Sequence, residues 1–139
     1  ASNFLKLNYP EGEIDFILAP FLTSTPWKTL KVQGFQVRVE TPVEIIIKKL
    51  FYRAELLKAR DIFDTVIVFC NERDQLLNES KILFSKYEIL RRRWEKIKLI
   101  FENDLANLDL IVETDPQSIS RNFESYLNEL SSLKENQSP

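Results

Sequence analysis

The chain reads as an α+β protein, a small antiparallel sheet in its first 40 residues followed by a bundle of about four helices. Three observations predict this: two-residue alternation of apolar side chains before Glu40, a helix-start signature at Thr41–Glu44, and apolar stripes at helical spacing from there on. Leu5, Leu7 and Tyr9 alternate with polar neighbours, Pro10-Glu11-Gly12 supplies a turn, and Ile14, Phe16 and Leu18 alternate again. That pattern predicts a β-hairpin. Residues Pro20 to Pro26 read as a loop, and a third strand follows Gly34, with Phe35, Val37 and Val39 on one face.

Thr41-Pro42-Val43-Glu44 places a capping hydroxyl, a first-turn proline and a Glu three residues after the cap, so a capping box is expected. The helix it opens carries Val43, Ile46, Ile47, Leu50, Ala54 and Leu57 on one stripe. Ile62, Phe63, Val66, Ile67 and Phe69 predict a second, short helix. From Glu72 to about Leu108 the seam Leu83, Tyr87, Leu90, Trp94, Ile97, Phe101 and Leu105 predicts one long helix. Asp115-Pro116 caps a last helix presenting Ile119, Phe123, Leu127, Leu130 and Leu133, and residues 1–139 are read as one domain.

Composition removes much chemistry. The 139 residues include no His, one Cys, two Gly and no Met, with 19 Lys+Arg against 21 Asp+Glu. Catalytic His pairs, imidazole-ligated zinc, intrachain disulfides and glycine-rich phosphate loops are all excluded. What remains is carboxylates, Lys, Arg and Tyr, a set suited to holding Mg²⁺ and phosphate. No signal segment or membrane-length apolar run is present, which points to the cytoplasm, and a start at Ala1 fits a trimmed initiator or a chain beginning inside a longer protein. Charge is uneven: Lys28 to Arg60 holds eight cations and three anions, while 101–139 holds eight anions and two cations. A basic middle segment of this kind attracts polyanions or pairs with the acidic end. Arg91-Arg92-Arg93 spans three directions on a helix, Trp27 reads as a loop anchor, Trp94 as core, and Cys70 as a buried small hydrophobe.

The most specific stretch is TPVEIIIKKLFYRAELLKARDIFD, residues 41–64. Lys49 and Arg53 lie four apart on one helix, and Asp61 and Asp64 lie three apart on the next, so a cationic and an acidic ridge adjoin. Such charges either pair with each other and fasten two helices together or grip a ligand. The stretch, with the preceding LKLNYPEGEIDFI, resembles the AbiEii/AbiGii-type nucleotidyltransferase toxins of the type IV toxin–antitoxin class over about residues 4–70, their C-terminal part. Residues 1–70 would then be the second half of a polymerase-β-like core and 71–139 a helical extension.

The resemblance implies transfer of a nucleotidyl group from a Mg²⁺-bound NTP to an acceptor such as RNA, with an antitoxin protein as partner. It implies that Lys49 neutralises triphosphate charge, assisted by Arg53 and, more weakly, by Lys48, whose side chain points about a quarter turn away. Asp61 would be the base or ligand-orienting group, with Asp64 beside it, and Asp15 would be a metal-directed carboxylate. The alternative for Asp15 is a solvent-facing residue on a one-sided sheet. The family's Gly-Ser dipeptide and S-x-D-x-D pair are missing, and no D-x-D occurs anywhere. Since that pair holds the metal ions, this polypeptide is expected to be inactive alone, and a non-enzymatic interaction or nucleotide-binding module is the competing reading.

Overall fold

A computed structural model describes residues 3–137 and shows an α+β chain with two small antiparallel sheets rather than one. Strand β1 (Phe4–Tyr9) pairs with β2 (Gly12–Ile17), and β3 (Trp27–Val32) pairs with β4 (Phe35–Glu40). The β3 strand is not among the strands expected from the sequence, where only Trp27 reads as a loop anchor. Its WKTLKV sequence puts Trp, Thr and Lys on one face and Lys, Leu and Val on the other, so neither face is uniformly apolar and the alternation is masked. Trp27 accordingly sits in a strand, with the Arg38 guanidinium 4.2 Å from its ring centre. Gln33 and Gly34 join the two strands with φ of 49° and 89°, the paired positive values that a type I′ hairpin loop demands.

Neither hairpin packs on the helices in the manner expected of a sheet over a bundle. Every residue of β1, β2 and β3 is exposed, and the buried hydrophobic core begins only at Val43. A two-stranded ribbon has no third layer to close either face, so Leu5, Phe16, Ile17 and Phe35 stay open to solvent.

Helices α1 (Pro42–Tyr52), α2 (Ala59–Asn71), α3 (Arg73–Glu79), α4 (Tyr87–Ile97), α5 (Phe101–Ala106) and α6 (Pro116–Glu135) follow. Both proline-marked helix starts form where expected and are capped by the preceding side chain: Thr41 Oγ1 accepts from the Glu44 N–H at 3.2 Å, and the Asp115 carboxylate accepts from the N–H groups of Gln117 and Ser118. The whole predicted stripe of α1 through Leu57 is buried, as are Ile62, Val66 and Phe69 on α2. One long helix over 72–108 does not form. The seam residues Leu83, Leu90, Trp94, Ile97, Phe101 and Leu105 are all buried, but they are carried by α3, a 3-10 segment at Ser80–Lys86, α4 and α5. Ser80 explains the first break: its hydroxyl donates to the Leu76 carbonyl at 2.6 Å and lies 2.9 Å from the Tyr126 hydroxyl, drawing the backbone toward α6. Burial pushes the Tyr126 phenol well above its ordinary pKa, although the Ser80 hydrogen bond opposes the shift.

The centre of the bundle is aromatic. Trp94 meets Phe123 at 5.0 Å and Phe101 at 5.6 Å between ring centres, and Phe69 meets Tyr126 at 5.4 Å. The indole N–H of Trp94 donates to Glu124 at 2.5 Å, which lets the ring be buried without an orphaned donor. Cys70 is exposed, not buried: it follows Phe69 by one residue, and a 100° step carries it off the apolar face. Among the described residues no helix is long and apolar enough to cross a membrane.

Candidate functional site

Helix α1 ends at Tyr52, and the chain reverses through Arg53 and a 3-10 turn at Ala54–Leu56 before Lys58 opens α2. That reversal brings the two charged ridges face to face. Lys49 Nζ lies 2.6 Å from Asp64 Oδ2 and 3.6 Å from Asp61 Oδ1, and Arg53 Nη1 donates to Asp61 Oδ1 at 3.1 Å. Four of the six sequence-predicted site residues therefore converge.

The two aspartates differ in what they can do. Asp61 is 3% exposed, and its second oxygen accepts the backbone N–H of Lys58 at 3.0 Å. It therefore caps α2 and neutralises α1 at once, a structural task that leaves it no open coordination. Asp64 is different. Its side chain is 34% exposed, its partner Lys49 is 25% exposed, and it borders an open groove of about 390 Å³. That groove runs between α1 and α2 on one side and residues 109–112 on the other, and is walled mainly by Ile45, Phe63 and Ile67.

Lys48 and Asp15 lie outside the cluster. Lys48 points about a quarter turn away from Lys49, where it pairs with Glu40 at 2.5 Å and Glu44 at 3.3 Å, under the Phe21 ring. Burial works against its charge, but those two carboxylates prevail and raise its pKa. Asp15 faces Lys6 across the first hairpin at 3.5 Å, and Lys6 also holds Glu13 at 2.8 Å.

Glu44 is the polar residue whose role the sequence concealed. The expected capping box does not close, because the Thr41 N–H donates to the Pro26 carbonyl at 2.9 Å. The Glu44 carboxylate instead accepts the N–H groups of Leu22 and Thr23 at 3.0 and 2.9 Å and the Thr23 hydroxyl at 2.6 Å. It clamps the loop between the hairpins onto α1. Ser24 continues the same seam, its N–H and hydroxyl both donating to Glu79.

The donor set does not suit a magnesium ion. Among the described residues no three Asp, Glu, His or Cys side chains come together, and Asp61 and Asp64 each face a cation. A hard divalent ion needs several oxygens on one centre, whereas these carboxylates are already charge-compensated. Comparison with protein-family models, with curated proteins and with solved structures finds no match to this chain.

Proposed function

We propose that this chain is the nucleotide-gripping, C-terminal part of a nucleotidyltransferase-like toxin, and that alone it binds a nucleoside triphosphate without transferring a nucleotidyl group. The resemblance of residues 41–64 supplies the class, and the accessible Lys49–Asp64 pair carries the reading. In the ligand-free chain Asp64 holds the position of an anion against Lys49. Because both groups are partly solvated, their pairing is worth only about 0–1 kcal/mol, and a triphosphate with several negative oxygens outcompetes one carboxylate. Arg53, 43% exposed, has guanidinium donors to spare beyond Asp61. Among the described residues the carboxylates form no site for a metal ion, so the binding rests on Lys49 and Arg53 alone.

The test is calorimetric titration of GTP into the 139-residue chain, with and without Mg²⁺. Binding is expected in both conditions. Lys49→Ala should weaken it about tenfold, or ~1.4 kcal/mol, while Asp64→Asn, which removes the competing anion, should tighten it. Unfolding of Lys49→Ala in urea should show a loss of less than about 1 kcal/mol, as for a partly exposed pair. A large stability loss with unchanged GTP affinity would instead assign the cluster to fastening α1 and α2 together.

A further inference from the structure

We propose a second anion site: a basic cavity at the junction of α2, α4 and α5 that binds the compact, multiply charged phosphate group of a small phosphorylated molecule. The cavity, about 460 Å³, is lined by Lys58 and Arg60 from the start of α2 and by Arg93 and Lys96 from α4, against the single carboxylate of Asp104. Among the described residues the side chains of Lys58, Arg60 and Lys96 make no ion pair and no hydrogen bond. Arg93 is held only by a neutral acceptor: its Nε and Nη2 donate to the Leu57 carbonyl at 3.0 and 2.8 Å.

Elsewhere in the bundle most cations are paired, although among the described residues Lys81 and Arg92 also lack a carboxylate partner. Lys48, Lys49, Arg53, Arg73 and Arg91 each find a carboxylate, whereas four cations gather around one concavity almost uncompensated. Lys58, Arg60 and Lys96 are solvent-exposed and Arg93 is partly buried, so together they set up a positive potential that draws in a counter-anion, most strongly at low salt. The fork on Leu57 fixes the Arg93 guanidinium before any ligand arrives, so little side-chain entropy is lost on binding. Shape then selects the ligand. A polynucleotide needs a row of cations continuing along the surface; on α4 Arg92, one turn before Lys96, is exposed and unpaired among the described residues but does not line the cavity, and Arg91 is paired with Glu124. An open concavity of this size with an apolar wall at Ile97 and Leu108 suits one di- or pyrophosphate-sized charge with a small organic part.

Arg60 borders both this cavity and the groove beside Asp64, so the test removes Lys49 first to keep the two sites apart. Inorganic pyrophosphate, without Mg²⁺, is titrated by calorimetry at low ionic strength into the Lys49→Ala chain, which lacks the cation proposed to grip a triphosphate, with circular dichroism confirming that each further variant is folded. Saturable one-to-one binding is expected, weakened about tenfold by Lys96→Ala and about a hundredfold by Lys58→Ala/Lys96→Ala, the equivalent of ~1.4 kcal/mol per cation. Arg60→Gln should weaken it as well. Absence of saturation, or equal affinity in the double variant, overturns the site. So does length-dependent binding of single-stranded oligonucleotides that pyrophosphate fails to displace, since that outcome assigns the cations to a nucleic-acid surface.

Discussion

Replacing Glu44 by Ala should destabilise the chain by about 3 kcal/mol, because hydrogen bonds to a charged acceptor are each worth roughly 1.5–3 kcal/mol and part is recovered by water. Glu44 is 0% exposed, and its removal leaves the N–H groups of Leu22 and Thr23 without their acceptor. Lys48 retains Glu40, so the loss falls on the loop and not on the lysine. With a urea slope of about 1.5 kcal/mol per molar, the unfolding midpoint should drop by about 2 M. Glu44→Gln keeps one acceptor oxygen and should lose less.

Acid adds a second signature. Burial tends to raise the Glu44 pKa, but hydrogen bonds from Thr23, Leu22 and Lys48 outweigh it and hold the carboxyl below its ordinary value of 4.5. The folded state thus binds this proton less readily than the unfolded chain does. The stabilisation is complete above the unfolded value and is lost as pH falls through the folded one. Wild type and Glu44→Gln should therefore differ most at neutral pH and converge in acid. Equal midpoints at pH 7 would remove Glu44 from the role of clamp.

How far the sequence exposes this arrangement depends on the distance over which each residue finds its partner. Thr41-Pro42 and Asp115-Pro116 announce helix starts because a cap acts on backbone within three residues. The apolar stripe from Val43 to Leu57 is equally local in cause, since spacing alone decides which side chains share a face. Glu44 defeats the same logic. Its position three residues after Thr41 fits a capping box, yet its partners lie 21 and 22 residues upstream, where no spacing rule reaches. The break at Ser80 is concealed for a similar reason, as its cause is a hydroxyl of α6.

The candidate site shows the same division. Helical spacing places Lys49 with Arg53 and Asp61 with Asp64, but only the reversal at Arg53–Leu57 determines that the pairs meet. Asp15 was closer to legible than it looked. A two-residue loop at Pro10-Glu11 fixes the register that sets it opposite Lys6, and an exposed cross-strand ion pair is the ordinary result. The cations of the basic cavity could not be grouped beforehand. Lys58 and Arg60 join Arg93 and Lys96 only because α4 packs against the turn before α2, and the Leu57 carbonyl is the hinge of that contact.

Phe123→Ala carries the largest expected effect, a loss of about 4 kcal/mol, within the 3–5 kcal/mol that deleting a fully buried Phe typically costs. The ring is 0% exposed and is bracketed by Trp94 at 5.0 Å and Tyr126 at 6.4 Å between centres, so α6 grips α4 through it. The neighbours cannot close the void cheaply. Trp94 is tethered by its N–H to Glu124, and the Tyr126 hydroxyl is held at Ser80, so collapse toward the missing ring would break a buried hydrogen bond. Phe123→Leu fills most of the space and should cost about 1–2 kcal/mol, the difference between the variants measuring the cavity itself. Urea unfolding followed by tryptophan fluorescence reads both, because Trp94 lies in the wall of the void. For a domain whose whole stability is of the order of 5–15 kcal/mol, the Ala variant should be marginal at 37 °C while the Leu variant still binds whatever Lys49 binds. A loss below about 1 kcal/mol for Phe123→Ala would mean that the aromatic cluster relaxes freely, and with it the rigid contact of α2 on α6 that holds Asp61 and Asp64 opposite α1.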